Sequence, residues 1–310
     1  MKKSIIFVTN IDETLIGKTI CGYTLQKVYR GSTRPEHQLP NGWMTWEFAD
    51  NLFSGNDTES AIVSLPNNKF FYQDRFLQSD DKGSYYLYFS KTSEDKDLFL
   101  EGRDFIKCMV LAKVSAVSFS MPYDFEDGIG TVIIKSPKHN YKSIDEWPIF
   151  AMMDTDILAI EKLYADYSKI CVNKKEIDRM IEIWIDSRRI VSSEAKFIMH
   201  VCILEMFIDG NSELSHRLSR SIAVFLGKTE ADAVDIFNSM KSLYNLRSKF
   251  LHEGKDITED KDFELESKAQ EYARKLIVEL IQVSKNSDNS LSTIRDKTNK
   301  SGFGCLNLGK

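Results

Sequence analysis

Two different periods divide the chain. Up to about position 148, apolar residues come in short runs that alternate with polar ones or are rich in β-branched and aromatic side chains. These runs are 4–8, 22–29, 61–65, 69–72, 84–89, 105–121 and 130–135. Alternation of this kind puts one side of a strand on a core. Turn-forming clusters separate the runs, among them Pro66-Asn67-Asn68, Ser79-Asp80-Asp81-Lys82-Gly83 and Asp127-Gly128-Ile129-Gly130. Many short strands joined by turns predict a β-sandwich or a partly open barrel over residues 1–148.

Past Pro148 the repeat lengthens to about 3.6 residues, the period of an α-helix. Helical patterns cover 154–170, 174–189, 194–208, 213–226, 230–252 and 262–283. In the second, Ile177, Met180, Ile181, Trp184 and Ile185 share a face. Ser192-Ser193 and Thr229 stand where N-caps belong, and Gly210, Gly227 and Gly254 stand where helices stop. The helix over 194–208 is apolar nearly all round and is expected at the centre. The prediction is an all-helical bundle over 154–285, hence an α+β chain of two domains. Residues 286–310 are rich in Lys, Asn, Ser and Gly without a strong period, and are expected to be disordered, with Phe303, Cys305, Leu306 and Leu308 as sparse apolar points.

Composition changes this picture little. The 310 residues are 42% hydrophobic and 28% charged, with net charge −5, ordinary for a soluble globular protein. An overall acidic balance excludes nucleic-acid binding over the whole surface but leaves room for a local basic cleft. Lys2 and Lys3 precede an apolar stretch that stops at Val8, too short for a secretory core. The longest apolar run, 197–208, is broken by His200 and Glu205 and falls short of the roughly 20 residues that span a bilayer. A cytoplasmic protein without membrane contact is expected. Five scattered cysteines without CxxC pairing point to neither a disulfide framework nor a zinc site. No phosphate-binding loop or dinucleotide fingerprint occurs, so no cofactor and no metal is expected.

Candidate chemistry concentrates in the helix over 230–252. Its apolar stripe runs Ala233, Ile236, Phe237, Met240, Leu243, Tyr244, Phe250 and Leu251, and should pass through position 247, which is Arg247. A charge in an apolar stripe is costly unless paired or facing a polar cleft. His252 follows where Gly254 ends the helix. Glu205 is the lone acid of 197–208 and the obvious partner for an arginine. His200, in the same run, reads as a core histidine. The aromatic clusters Trp43/Trp46, Phe70/Phe71/Tyr72 and Tyr85/Tyr86/Tyr88 could stack on bases, but read more simply as the core of a β-domain.

The stretch Leu243-Tyr244-Asn245-Leu246-Arg247-Ser248-Lys249-Phe250-Leu251-His252-Glu253-Gly254 resembles the Arg-x4-His signature of HEPN domains, in particular those at the C-terminus of ApeA-like phage-defence proteins. Leu204-Glu205-Met206-Phe207 is similar to the family's glutamate-bearing helix, and 213–223 to the helix that follows it. The resemblance covers about residues 154–285. It implies a homodimer with Arg247 and His252 lining a cleft between subunits. It also implies metal-independent RNA cleavage, in which the ribose 2′-hydroxyl attacks the adjacent phosphate, within an anti-phage or abortive-infection response. The residue types suit that chemistry. A histidine can move a proton near neutral pH, and an arginine presents forked, permanently charged donors to phosphate oxygens.

By this reading Arg247 and His252 are catalytic, Glu205 and Ser248 support them, and Arg217, Arg220 and Lys249 form a basic rim for RNA. Each has a structural alternative: Arg247 paired to Glu205, His252 satisfying helix-end carbonyls, and the basic residues on a solvated face. Residues five apart on a helix lie roughly 140° apart, so Arg247 and His252 converge only through arginine's length, fraying near Gly254 or donation across a dimer, and a composite dimeric site is expected. In the family's tyrosine-modified members a tyrosine stands two positions after the histidine; here that position is Gly254. The N-terminal domain is expected to sense a trigger its residues do not identify. The alternative for the whole protein is a catalytically silent HEPN module that binds RNA or protein.

Overall fold

The computed structural model describes residues 2–29, 33–39, 43–48, 60–64, 77–94, 97–126, 149–209, 213–254, 260–286, 288–306 and 308. The expected strands at 69–72 and 130–135, the aromatic cluster at 70–72 and the turn at Gly210 lie outside them. The chain divides into two compact units, Met1–Glu161 and Lys162–Lys310. The division falls inside a helix, Asp154–Tyr167 (α2), past the boundary near Pro148 expected from the change of period.

The first unit is built on an antiparallel seven-stranded sheet. Strands β1 (Lys2–Thr9), β2 (Thr19–Ile20), β3 (Tyr23–Tyr29), β8 (Gly83–Ser93) and β10 (Tyr123–Glu126) run in the order β10-β1-β8-β3-β2. Strand β7 (Leu77–Asp80) pairs with the start of β8, and β9 (Ser118–Phe119) with the end of β1. The β7–β8 hairpin closes as its turn residues require: the Asp80 carboxylate accepts the Lys82 N–H at 2.8 Å, and Gly83 supplies a positive φ of 128°. A separate three-stranded sheet joins β4 (Thr33–Leu39), β5 (Trp43–Phe48) and β6 (Ser60–Ser64).

One expected strand is a helix. The run 105–121 predicted a strand, yet Leu98–Ala112 forms helix α1, which packs on the sheet, and only Ser118–Phe119 of that run is extended. A short, nearly continuous apolar run fits a buried helix as well as a strand. The deciding signal lies upstream, where the Asp97 carboxylate accepts the Leu100 N–H and caps the helix. Phe105 stacks on Tyr23 with ring centres 4.5 Å apart and meets the edge of Phe89 at 5.1 Å. A helix therefore lies where a sandwich would need a second sheet. Gly102 permits the approach, because a Cβ there would sit 2.7 Å from Pro122 Cγ.

The second unit is helical, and its elements follow the sequence reading to within a few residues. Past α2 come α3 (Lys174–Ser187), α4 (Ser193–Glu205), α5 (Leu214–Leu226), α6 (Glu230–Glu253) and α7 (Asp260–Ser284). The capping signals are borne out. Ser192 accepts the Ala195 N–H, Thr229 accepts the Asp232 N–H, and Gly254 closes α6 in the left-handed region at φ 65°. Helix α5 lies against α6, and α4 lies against α3 and α7. Trp184, Met180, Ile181, Phe197, Leu204, Leu276, Ile277 and Leu280 fill the core. Helix α4 is less enclosed than its composition suggests, with Ile198, Met199, Cys202 and Met206 only half-buried.

The tail corrects the expectation of disorder. Residues Leu291–Lys300 form helix α8, capped by Ser290, with Leu291, Ile294 and Thr298 buried at i, i+3 and i+7. The period is present but carried by few apolar residues. Side-chain hydrogen bonds hold the helix instead. Buried Asn173 donates to Ser284 Oγ at 2.7 Å and to the Asn289 carbonyl at 2.8 Å, and accepts the Leu291 N–H at 2.8 Å. Asn289 in turn donates to the Val283 carbonyl at 3.0 Å. Beyond α8, Phe303 packs on Phe237 at 5.7 Å and Leu308 is buried.

Asn173→Ala deletes three hydrogen bonds at the junction of α3, α7 and α8 and strands buried partners. It is expected to lower stability by about 2–4 kcal/mol in urea unfolding. A loss below about 0.5 kcal/mol would mean that the junction does not hold the tail.

Candidate functional site

Helix α6 places the residues singled out from the sequence, but the stripe runs differently. The buried positions are Ala233, Ile236, Met240, Leu243 and Leu246. Leu246 takes the place expected for Arg247, which moves to the edge of the buried face with 25% of its side chain exposed. There its Nε lies 3.4 Å from Glu205 Oε1, at the last residue of α4. The sequence pairing of Arg247 with Glu205 is thus met in space.

The pair is loosely made. Glu205 Oε1 is buried with no hydrogen-bond donor, so the contact is an ion pair rather than a directed bond. Both side chains are about a quarter exposed, and such a pair contributes at most about 1 kcal/mol. Among the described residues, no other hydrogen bond or ion pair engages the Arg247 guanidinium, whose carbon stands 5.7 Å from the Tyr244 ring centre. Its two terminal nitrogens keep their donors free. Cys202, one turn before Glu205, is half-buried beside the pair. Burial and the Glu205 charge push its thiol up, against the pull of Arg247, which makes it a poor nucleophile. Tyr244 reads from the sequence as part of the apolar stripe and Cys202 as a small apolar residue, neither as part of the site. Their signal is the i−3 spacing to Arg247 and to Glu205.

His252 lies in the last turn of α6, exposed, and no hydrogen bond or ion pair with a described residue holds its ring. It is five residues from Arg247, about 7.5 Å along the axis and roughly 140° around it. Ser248 is half-buried beside Arg247, and Lys249 is exposed. The other two cations expected at an RNA rim turn inward. Arg217 donates to the Asp209 carbonyl; Arg220 donates to the Ser301 carbonyl at 2.7 Å and the Thr298 carbonyl at 3.4 Å. The structure thus brings together Arg247, Glu205 and, by sequence adjacency, Ser248 and Lys249. It ties Arg217 and Arg220 to helix ends and leaves His252 apart.

His200 is a core histidine, as read, with half of its polar capacity met. Its Nε2 lies 3.0 Å from Ser187 Oγ, and that hydroxyl donates to the Trp184 carbonyl at 2.7 Å. The imidazole must therefore donate through Nε2, which leaves Nδ1 as a bare acceptor, buried without a partner.

Among the described residues, no group of three or more His, Cys, Asp or Glu is placed to hold a metal ion, and no helix is long and apolar enough to cross a membrane. No family model, curated protein or solved structure matches this chain.

Burial, with a smaller contribution from Lys196, pushes the His200 imidazole down to about 4. A folded-state value below the unfolded one means the contribution is intact above about pH 6.5 and is lost as pH falls from there toward 4. The expected loss is about 3 kcal/mol across that window. It should shrink in His200→Leu when urea midpoints are followed from pH 7 to 4.5. An unchanged slope would remove His200 from the acid sensitivity.

Proposed function

We propose that the protein is a metal-independent endoribonuclease of the HEPN type, acting as a homodimer in the cytoplasm in anti-phage defence or abortive infection. One observation supports this most. Arg247 is paired through Nε with Glu205 while its terminal nitrogens, among the described residues, stay free, in the same helix as an exposed His252 that no described residue engages. An arginine held on one side and open on the other can bind a phosphate and steady charge developing at phosphorus. A free imidazole can take the proton from a ribose 2′-hydroxyl or give one to the leaving oxygen. The angle between them suits a composite site in which each subunit supplies one member to a shared scissile phosphate. Lys249 would extend the contact to neighbouring phosphates; for Arg217 and Arg220 that role would need the carbonyl bonds they now make to open. The N-terminal unit would hold the nuclease in check until a trigger reaches it.

A second reading, a HEPN module that binds RNA or protein without cutting, is favoured by that same angle of roughly 140° within one chain. Purified protein incubated with total RNA in excess EDTA separates the two. Cleavage leaving 2′,3′-cyclic phosphate ends is expected, reduced at least about 100-fold in His252→Ala and in Arg247→Ala. RNA binding without cleavage by the parent would favour the silent module. No binding even at low salt, where phosphate contacts are strongest, would remove RNA as the ligand.

A further inference from the structure

The far end of α4 is held by a residue outside the site. After Glu205 the helix tightens: the Phe207 N–H bonds the Leu204 carbonyl at 3.1 Å and the Ile208 N–H bonds the Glu205 carbonyl at 3.2 Å. The next carbonyls have no helical donor. Arg295 of α8 supplies them, with Nη2 donating to the Met206 carbonyl at 2.8 Å and Nε to the Phe207 carbonyl at 2.9 Å. Its third nitrogen, Nη1, lies 2.6 Å from Asp209 Oδ1. One planar guanidinium thus spans four consecutive residues that begin directly after Glu205. Arg295 is itself fixed, because α8 is anchored by Leu291 and Ile294 in the core and by Arg220 on its C-terminal carbonyls. Phe207 is anchored in turn, buried with its ring 4.7 Å from Phe225.

We infer that Arg295 is a positioning residue for the Glu205–Arg247 pair. Helix ends fray, and a frayed last turn would let the Glu205 backbone and carboxylate wander. The pair has no directed hydrogen bond to correct such wandering, so its geometry depends on the backbone of α4. The fork of Arg295 removes that freedom, and through Glu205 it sets which way the free nitrogens of Arg247 point. Lysine keeps the charge and the contact with Asp209 but cannot reach two carbonyls and a carboxylate at once. The catalytic consequence rests on the nuclease reading; the positioning itself does not.

The test labels the protein with 15N-arginine and follows the Arg247 Nε–Hε resonance, assigned by its loss in Arg247→Lys. Glu205→Gln defines the position of the unpaired state. Arg295→Ala is expected to move the resonance toward that position, while Asp209→Asn, which keeps both carbonyl bonds, leaves it in place. In the RNA assay Arg295→Ala should lower kcat about tenfold with KM changed less than about twofold. An Arg247 resonance unmoved in a cooperatively folding Arg295→Ala protein overturns the inference. If that variant does not fold, Arg295→Lys is read the same way, with a partial shift expected and no shift decisive against. A parent that cuts no RNA would defeat the nuclease reading while the resonance still decides the positioning.

Discussion

Every α-helix ends in carbonyls that its own backbone cannot satisfy, and the helical unit is organised around that constraint. Three arginines meet it by reaching between elements. Arg295 of α8 caps the end of α4, Arg217 of α5 reaches the carbonyl of Asp209 just beyond, and Arg220 of α5 caps the end of α8. The caps run in series: α8 steadies α4, and α5 steadies α8. Each puts a cation at the negative end of a helix, where the field of the aligned peptides favours it. A residue type that suggests nucleic-acid contact on the surface acts here as an internal tie.

Arg247 differs because it is no longer at a helix end. The buried stripe that begins at Ala233 follows Leu246, and the charge stands at its margin, where Glu205 can reach it without full desolvation. Full burial would have required a complete set of hydrogen bonds to offset the loss of water. Partial exposure relaxes that demand, and the guanidinium keeps donors free. The weakness of the ion pair and the availability of those donors are therefore one fact seen from two sides.

Much of this was legible in the sequence. The change of period near Pro148, the caps at Ser192 and Thr229, the stop at Gly254 and the Glu205–Arg247 pairing all rest on local signals that packing did not override. Three features were not. Helix α1 hid in a continuous apolar run, where only the cap at Asp97 separates helix from strand. Helix α8 hid because Leu291, Ile294 and Thr298 are few, and hydrogen bonds to Asn173 and Arg220, with Asn289 tying the preceding turn to α7, supply what a wider apolar face would. The inward turn of Arg217 and Arg220 was invisible because their acceptors are backbone carbonyls, which no residue type announces.

The same spacing that separates Arg247 from His252 recurs on α4, between His200 and Glu205. Five residues turn a helix by roughly 140°, so two polar side chains at that interval address different neighbours. On α4 both neighbours are in place: His200 meets Ser187 of α3, and Glu205 meets Arg247 of α6. On α6 only one is, since Arg247 meets α4 while His252 meets none among the described residues. One polar position of α6 is thus answered within the chain and the other stays exposed. In the proposed dimer the fold of a single chain supplies the arginine's surroundings, and the histidine's are completed by the partner and the RNA between them.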